Sequence, residues 1–439
     1  MGFFDKIMGR DDKKLIVVGL DGVPYTFMKR LIDEGKIPNF AELTDRGGFK
    51  RMNSVLPTIS SVAWSTFMTG EDAAGHNIFG FIDRRANPFK LYVPTSGYLK
   101  APTIWDKLGE KNKRSIVLNV PVTYPPKEVN GILVSGFLAT DINKAVYPDS
   151  YVQKLKDLDY IIDVDPWQAR ESKDEFLDEL NRALENRFQT MFEFMEDEPW
   201  DYFQCHIMET DRINHFYWGD MKEGDPRYEE AFYSFYEKID GYLGELKNKI
   251  DDNTELIILS DHGFCRVEKE VELNHWLKEE GYLKYDKNEI ESVADMSDDT
   301  KAYSLLPGRI FINLSGREEK GTVDKSEYNK LRKELKEKLL KLEDTKNDRK
   351  IIREVYFRED IYDGPYLERA ADLIAVPERG YDLKASANPD KLLQEGFIQG
   401  MHTYDDAFVF TGEGEIVDGL EDVVEIRDVH HLIMDYYNG

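Results

Sequence analysis

The sequence predicts an α/β fold with a mainly parallel central sheet and helices on both faces. Short apolar runs typical of buried strands alternate with longer segments typical of helices, and such alternation indicates a parallel sheet with helical crossovers. The chain has 439 residues, of which 41% are hydrophobic. One large domain with an insertion is therefore favoured over several small domains.

The expected elements follow one another in chain order. Strands are predicted near residues 14–20, 115–120, 131–137, 201–207 and 254–260. Helices are predicted over PYTFMKRLIDEG, over APTIWDKLGEKN and from Asp174 to Met195, and a further helix is expected to begin in SVAWSTFMTG. Ligands of such sheets bind beyond the carboxyl ends of the strands, so side chains that follow strands are expected to meet on one rim.

Three segments are predicted: a tail at residues 1–12, a core at 13–263 and 400–439, and a smaller inserted cap at 264–399. The insert is too long for a loop and carries its own strand and helix patterns. In the tail, MGFFDKIMGR places apolar side chains within two helical turns beside Lys6 and Arg10. This pattern is compatible with weak contact to a membrane surface, although a frayed terminus is the simpler interpretation.

Composition limits the partners and the compartment. A net charge of −27 opposes binding of nucleic-acid polymers and favours small substrates. The two cysteines, Cys205 and Cys265, cannot form a disulfide framework, and with no secretory signal they favour the cytoplasm. No apolar run is long enough for a transmembrane helix, and the sequence leaves the oligomeric state open.

Six carboxylate and imidazole side chains stand in short phrases that suit two divalent cations. They are Asp21 after KLIVVGL, Asp211 and His215 in TDRINH, Asp261 and His262 after TELIILS, and His402 in QGMHTYD. Aspartate and neutral histidine are the usual ligands of hydrolytic zinc or manganese. Two such cations about 4 Å apart can activate a hydroxyl and neutralise the leaving oxygen of a phosphate ester. Ser60, in LPTISSVAWSTFMTG, could supply that hydroxyl.

Each of these residues also has a purely structural interpretation. An aspartate after a strand, such as Asp21 or Asp261, often serves a turn, and Asp211 and His215 could be a surface pair one helical turn apart. The combination of phrases favours metal ligands over these interpretations.

Two groups of residues keep open alternatives. Thr58 and Ser61 compete with Ser60 as the nucleophile, and those that do not attack would cap the helix. For His76, His206, His275 and the pair His430–His431, structural roles are favoured, with His206 also a candidate partner of a metal ligand.

The ordered phrases resemble the alkaline phosphatase superfamily, nearest its type I phosphodiesterase and nucleotide pyrophosphatase branch and the related predicted phosphohydrolases and phosphomutases. The resemblance runs from LIVVGLDGV through IPNFAELTDRGG and SDHG to KAYSLLPGRIFINLSGREEKG and IRDVHHLIMDYYNG. It implies an alkaline phosphatase-like fold and a covalent phosphoserine that metal-activated water then hydrolyses. It also implies two metal sites: Asp21, Ser60, Asp261 and His262 for one, and Asp211, His215 and His402 for the other.

The chain departs from the phosphodiesterase branch near the nucleophile. It reads Ser60–Ala63 where that branch usually has a threonine in T-F-P-N, and Phe81 stands where the branch has a phosphate-contacting asparagine. Asn77 is a candidate replacement, and Lys301 and Arg317 are candidate contacts to an anionic substrate. SSVAWS lacks the proline and arginine that a sulfatase needs.

The sequence therefore predicts a phosphoesterase with two divalent metals, zinc or alternatively manganese, that hydrolyses a small phosphodiester or phosphomonoester through Ser60. A phosphomutase is a second candidate, but the spacing from Ser60 to Asp211 leaves limited room for the extra domain of the related mutase. A non-catalytic binding or scaffold protein that keeps the fold is a third, and the complete ligand set argues against it.

Overall fold

The computed structural model describes residues 13–223, 225–251, 253–412 and 424–438. The predicted tail at residues 1–12, with its membrane-surface interpretation, lies outside these ranges. Within them, no helix is both long enough and apolar enough to cross a bilayer.

The strands are β1 Lys14–Leu20, β2 Gly48–Asn53, β3 Asp83–Ala86, β4 Phe89–Tyr92, β5 Ser115–Val120, β6 Gly131–Ser135, β7 Val146–Tyr147, β8 Tyr202–Ile207, β9 Thr254–Leu259, β10 Gly263–Arg266, β11 Lys269–Glu272, β12 Ala302–Leu305, β13 Arg309–Ile312, β14 Glu343–Asp344, β15 Arg349–Lys350, β16 Ile352–Phe357, β17 Leu373–Pro377, β18 Tyr381–Lys384, β19 Leu393–Gln394, β20 Gly400–Thr403, β21 Ala407–Thr411 and β22 Val424–Glu425. The helices are α1 Tyr25–Asp33, α2 Pro38–Thr44, α3 Ser60–Thr69, α4 Ala73–His76, α5 Ile104–Glu110, α6 Val152–Asp157, α7 Gln168–Glu171, α8 Lys173–Asp197, α9 Glu209–Tyr217, α10 Asp220–Glu223, α11 Pro226–Lys249, α12 Leu273–Glu279, α13 Lys325–Leu339, α14 Arg358–Ile361 and α15 Ile426–Tyr436.

A nine-stranded sheet in the order β22-β2-β21-β9-β1-β8-β5-β6-β7 forms the centre of the fold. Five of its nine strands, β9, β1, β8, β5 and β6, are neighbours that pair in parallel. Strands β21 and β7 run antiparallel to their neighbours. The predicted fold class, a mainly parallel sheet between helices, is confirmed.

Strand β1 shows why this sheet is covered on both faces. Ile16, Val18 and Leu20 enter one apolar cluster, which contains residues of α1, α8 and α11. Leu15 and Val17 enter the opposite cluster, with residues of α3, α5 and α15. Alternate side chains of a strand point to opposite faces, so an uninterrupted apolar run such as LIVV is the pattern of a strand buried on both sides.

A third apolar cluster lies mostly in residues 271–383, within the segment that the sequence assigns to the cap. It contains the antiparallel sheet β12-β13-β17-β16 and the buried leucines of α13, Leu331, Leu335 and Leu339. The hairpin β3–β4 contacts this segment although it lies in the predicted core: Arg84 Nη2 is 2.6 Å from Glu318 Oε1.

Candidate functional site

Three neighbouring strands of the central sheet deliver the three aspartates of the predicted site. Asp21 directly follows β1, Asp211 lies in the first turn of the helix after β8, and Asp261 lies two residues beyond β9. Because β9, β1 and β8 are adjacent and parallel, their carboxyl ends share one rim of the sheet. The side chains form two groups whose ligand atoms lie within 4.8 Å of one another.

The outer cluster consists of Asp211, His215 and His402. Helix α9 places Asp211 and His215 one turn apart, and β20 brings His402 beside them through its pairing with β10. The two Nε2 atoms are 3.0 Å apart, and each is 3.3 Å from Asp211 Oδ1. Ligand bonds of 2.0–2.1 Å in a tetrahedron put neighbouring ligand atoms about 3.3 Å apart, so the spacing suits a small divalent cation.

The inner cluster consists of Asp21, Asp261 and His262, all fully buried. His262 Nε2 lies 3.5 Å from Asp21 Oδ1 and 3.4 Å from Asp261 Oδ2. The two clusters adjoin, because the rings of His262 and His402 stack with their centroids 3.7 Å apart. The grouping of ligands that the sequence predicts is the grouping that the structure brings together.

In the three histidines of the two clusters, Nδ1 carries the proton, which leaves the Nε2 lone pair available to bind a cation. Nδ1 of His215 lies 2.8 Å from Gly400 O, Nδ1 of His402 lies 3.2 Å from Thr58 O, and Nδ1 of His262 lies 3.2 Å from Gly263 O. A carbonyl oxygen can only accept, so each Nδ1 carries the proton and donates. The Nε2 lone pairs then face the carboxylates, which is the arrangement that metal-binding histidines adopt.

Two carboxylate oxygens also lack a partner. Asp211 Oδ1 and Asp261 Oδ2 are buried without a hydrogen bond within the described part of the chain. A buried carboxylate oxygen is costly unless it is hydrogen-bonded or binds a cation. Together with the opposed lone pairs of His215 and His402, these oxygens make a donor set that fits one divalent cation in each cluster.

The charges in the site act strongly on one another. Burial, reinforced by the nearby Asp21 carboxylate, raises the pKa of Asp261 well above its ordinary range. Burial also opposes ionisation of Asp211, but its interactions with His215 and His402 hold the pKa of Asp211 well below its usual value. Burial and the proximity of His402 lower the pKa of His262 to about 3. His262 is therefore neutral at physiological pH, as a metal ligand must be.

Ser60 is the hydroxyl that reaches the inner cluster. Its Oγ lies 3.2 Å from Asp21 Oδ1 and 3.1 Å from His262 Nε2. Ser60 is the first residue of α3, and the N-cap, Ile59, provides no side-chain hydrogen bond. The first N–H groups of a helix have no intrahelical partner, and such a terminus attracts anions. Ser60 thus lies beside the inner cluster at a helix terminus of the kind that attracts anions.

The neighbouring hydroxyls do not reach the inner cluster, and neither caps α3 as the sequence suggested. Thr58 Oγ1 donates to Val55 O at 3.0 Å. Ser61 Oγ is buried without a hydrogen-bond partner among the described residues. Of the three candidate nucleophiles, Ser60 is the one that the structure places against Asp21 and His262.

Asp21 is held by side chains that sequence reasoning found only in part. His206, a candidate partner of a metal ligand, lies with Nε2 2.7 Å from Asp21 Oδ2. Trp64 and Thr210 were missed: Trp64 Nε1 donates to Asp21 Oδ2 at 2.8 Å, and Thr210 Oγ1 donates to Asp21 O at 2.6 Å. Trp64 follows Ser60 by four residues, so helical spacing was the signal that could have placed it on the same face.

Arg212 is a further residue that the motif contains but that sequence reasoning missed. Its Nη1 donates to Asp211 Oδ2 at 3.2 Å. Asp163 fixes the guanidinium through contacts of 3.1 Å to Nε and 2.5 Å to Nη2. The pair holds Asp211 with Oδ2 engaged and Oδ1 turned toward His215 and His402.

We expect Arg212→Met to weaken metal binding to the outer cluster by about tenfold or more, because partners that orient a ligand typically contribute 10- to 100-fold in affinity. Calorimetric titration of zinc into chelator-treated protein checks this expectation. Arg182→Met is the matched control, since this side chain on α8 is 71% exposed. Equal zinc affinities in both variants and wild type would contradict a positioning role for Arg212.

A cleft of about 180 Å³ opens beside the outer cluster. His215 and His402 lie in its wall together with Thr58 and Ile59, which precede Ser60. Residues of β16, β17 and β18, in the segment that the sequence assigns to the cap, also line it. The cleft is therefore lined by residues of both the sheet rim and the segment that the sequence assigns to the cap.

The predicted substrate contacts lie elsewhere. Asn77 Nδ2 donates to Tyr98 O at 2.8 Å, and its Oδ1 accepts from Arg369 at 2.6 Å. Arg317 makes a two-pronged contact with Asp372, at 2.7 and 2.6 Å. Lys301 is exposed just before β12. None of the three predicted contacts lines the cleft, because two are used in internal hydrogen bonds and Lys301 faces solvent.

Three histidines have the structural contacts expected of them. Burial lowers the pKa of His76 to about 3, and its ring lies 3.1 Å from Thr66 Oγ1. His275 Nδ1 donates to Pro389 O at 2.9 Å. His430 Nδ1 donates to Phe67 O at 3.0 Å.

Comparison with solved structures shows the fold. Phosphonoacetate hydrolase from Sinorhizobium meliloti 1021, in complex with phosphonoacetate or phosphonoformate, is 17% identical with a TM-score of 0.67, covering 97% of this chain and 96% of that chain. Murine ectonucleotide pyrophosphatase / phosphodiesterase 5, in an inactive form with AMP, is 16% identical with a TM-score of 0.59, covering 97% of this chain and 95% of that chain. The human counterpart is 15% identical, with a TM-score of 0.58 and the same coverage.

Comparison with families and with individual curated proteins gives the classification. No curated protein matches the chain. The model of the type I phosphodiesterase / nucleotide pyrophosphatase family matches residues 15–405. This range contains β1 from its second residue on, Ser60 and both clusters, so the match spans the whole site. The chain belongs to the type I phosphodiesterase / nucleotide pyrophosphatase family, within the alkaline phosphatase superfamily.

Proposed function

We propose that this chain is a two-metal phosphoesterase that hydrolyses a small phosphodiester or phosphomonoester through a covalent intermediate on Ser60. The observation that carries the proposal is the position of Ser60 Oγ, 3.2 Å from Asp21 Oδ1 and 3.1 Å from His262 Nε2 at the N-terminus of α3. The adjoining outer cluster provides a second set of ligands.

The chain's own residues account for the first step. Ser60 Oγ attacks phosphorus and gives up its proton to solvent. The bond from phosphorus to the leaving oxygen breaks, and that oxygen departs with the bonding electrons and takes up a proton from solvent. The free N–H groups at the start of α3 face the negative charge of the phosphoryl group. Water then attacks phosphorus of the covalent intermediate, the bond from phosphorus to Ser60 Oγ breaks and the hydroxyl is restored; the product is phosphate from a monoester and a phosphate monoester from a diester.

The two clusters would hold the cofactors. Asp21, Ser60, Asp261 and His262 would bind one divalent cation, and Asp211, His215 and His402 the other; zinc suits the donor set best, and manganese is also compatible. Such cations would lower the pKa of the attacking hydroxyl and neutralise the leaving oxygen.

The two reduced cysteines, Cys205 and Cys265, support a cytoplasmic location as part of the same proposal.

The alternatives have weaker support. A scaffold protein gains nothing from keeping two complete ligand clusters, two of whose buried carboxylate oxygens lack hydrogen bonds within the described residues. A phosphomutase would use the same phosphoserine but return the phosphoryl group to its substrate. Among the described residues that line the cleft, none is assigned a role in such a second transfer.

Hydrolysis of bis-p-nitrophenyl phosphate and p-nitrophenyl phosphate, assayed side by side, tests the proposal. We expect chelator-treated protein to be inactive and added zinc or manganese to restore turnover, with the faster ester separating diesterase from monoesterase activity. A protein that binds two metals but releases nitrophenol from neither ester would contradict the proposal as stated.

A further inference from the structure

The cleft beside the outer cluster carries an unexpected concentration of cationic side chains. The chain has 85 acidic and 58 basic residues, yet Arg353, Arg379 and Lys384 line this cleft against two carboxylates, Asp382 and Asp405. Lys384 is neutralised by Asp382, with Nζ and Oδ2 2.5 Å apart. The two arginines share the other carboxylate, so these five lining side chains together carry one excess positive charge.

Asp405 accepts a hydrogen bond from each of the two arginines but leaves other N–H donors of their guanidinium groups unbonded in the part of the chain that the structure describes. Arg353 Nη1 donates to Asp405 Oδ2 at 3.2 Å, and Arg379 Nη2 donates to Asp405 Oδ1 at 2.9 Å. A guanidinium has five N–H donors, and Arg353 Nε is buried without a hydrogen-bond partner within the described ranges. Both side chains are partly exposed, at 31% and 49%, so donors remain for a ligand in the cleft.

The position of these arginines relative to the site sets the dimensions of the ligand. Asp405 follows His402 by three residues, which span at most about 11 Å of backbone. The same cleft is lined by apolar side chains that include Leu56, Phe81 and Leu306. The cleft therefore suits a ligand that reaches through it from the outer cluster to Arg353 with an apolar body and an anionic far end.

The position of the cleft, next to the outer cluster rather than the inner one, indicates which part of the substrate occupies it. Ser60 contacts the inner cluster, whereas the cleft is lined by His215 and His402 of the outer cluster. In phosphoryl transfer the attacking and leaving oxygens lie roughly in line. The leaving group thus points away from Ser60 and toward the cleft.

We propose that Arg353 and Arg379 form a subsite for an anionic group, a carboxylate or a phosphoryl group, at the far end of the substrate's leaving group. The subsite selects phosphate esters of apolar alcohols or phenols that end in such an anion. This inference rests on the proposed function for the identity of the reacting end, whereas binding of the anion can be measured independently. A guanidinium pair suits a carboxylate or phosphoryl group because both accept two parallel hydrogen bonds.

The test uses phosphate esters of 4-(4-hydroxyphenyl)butanoic acid and of its methyl ester, whose remote carboxyl group leaves the phenol equally reactive. For wild type we expect kcat/KM to be about tenfold or more higher for the acid, the size of one charge-assisted hydrogen-bonded contact. Arg353→Met and Arg379→Met should each reduce about tenfold the ratio of kcat/KM for the acid to kcat/KM for the methyl ester. Asp405→Asn removes the competing carboxylate and should raise this acid-to-ester ratio. Arg182→Met, an exposed change on α8, should leave the ratio unchanged.

Calorimetry with 4-(4-hydroxyphenyl)butanoic acid itself separates the two proposals. Binding that is weakened by Arg353→Met, in a protein without turnover, would support the subsite and count against the phosphoesterase. Turnover of p-nitrophenyl esters with equal kcat/KM for acid and methyl ester would leave the phosphoesterase intact and overturn the subsite. If the ratio is high but unaffected by either arginine variant, the subsite is not formed by these residues and the inference is wrong. A phosphoryl-ended analogue run alongside the acid distinguishes the two anions.

Discussion

Replacing Ser60 with alanine is expected to reduce kcat for phosphate esters by about a thousandfold or more, since loss of a covalent nucleophile has effects of this size or larger. The hydroxyl is the group that contacts both Asp21 and His262, and alanine cannot replace it. Steady-state kinetics with p-nitrophenyl esters measure the effect. The Ser60→Ala protein should still fold, because the change removes one oxygen from a buried helix terminus.

Ser61→Ala is the matched control for this prediction. Ser61 is the next residue of α3, is equally buried and has no hydrogen bond from its hydroxyl within the described residues. We expect its kcat to stay within about twofold of wild type. The opposite pattern, with Ser61→Ala inactive and Ser60→Ala active, would transfer the nucleophile's role to the neighbour.

The second large effect is expected from His215→Ala. Removing this imidazole leaves Asp211 and His402 as two ligands where a catalytic zinc site usually has three from the protein. We expect the zinc content, measured by mass spectrometry after dialysis, to fall from about two to about one per chain. Turnover should fall by about a hundredfold or more, because the leaving oxygen loses its neutralising charge.

His431→Ala is the control for this change. His431 lies exposed on α15 and belongs to neither cluster. The zinc content and turnover of the His431→Ala protein should match those of wild type. If His215→Ala kept both metals and full activity, the outer cluster would not be a metal site.

Much of the rim could be predicted from sequence because local patterns carry it. The apolar runs before Asp21 and Asp261 have the length of buried strands, and a parallel sheet brings the residues after such strands together at one edge. The spacing of Asp211 and His215 is a helical turn, and the structure has a helix there. The ends of the strands were predicted less accurately: the strand predicted at 131–137 ends at Ser135.

The remaining contacts depend on pairings between distant segments. Arg317 looked available for substrate, but Asp372, 55 residues later, takes both of its Nη atoms. Arg353 and Arg379 were not selected because nothing local distinguishes them from other surface arginines. They come together only when β16 and the segment after β17 fold against Asp405, just beyond β20. Ion pairing at such range depends on tertiary packing rather than on motif or periodicity.

The most direct test of the proposed mechanism is to trap the intermediate on Ser60. Metal-loaded protein is mixed with bis-p-nitrophenyl phosphate or p-nitrophenyl phosphate, quenched in acid at successive times and digested, and the peptide containing Ser60 is analysed by mass spectrometry. We expect a phosphoryl or nitrophenylphosphoryl group on Ser60 in wild type, and none in Ser60→Ala. Turnover with Ser60 unmodified at every quench time, or with the adduct on Thr58 or Ser61, would contradict the mechanism.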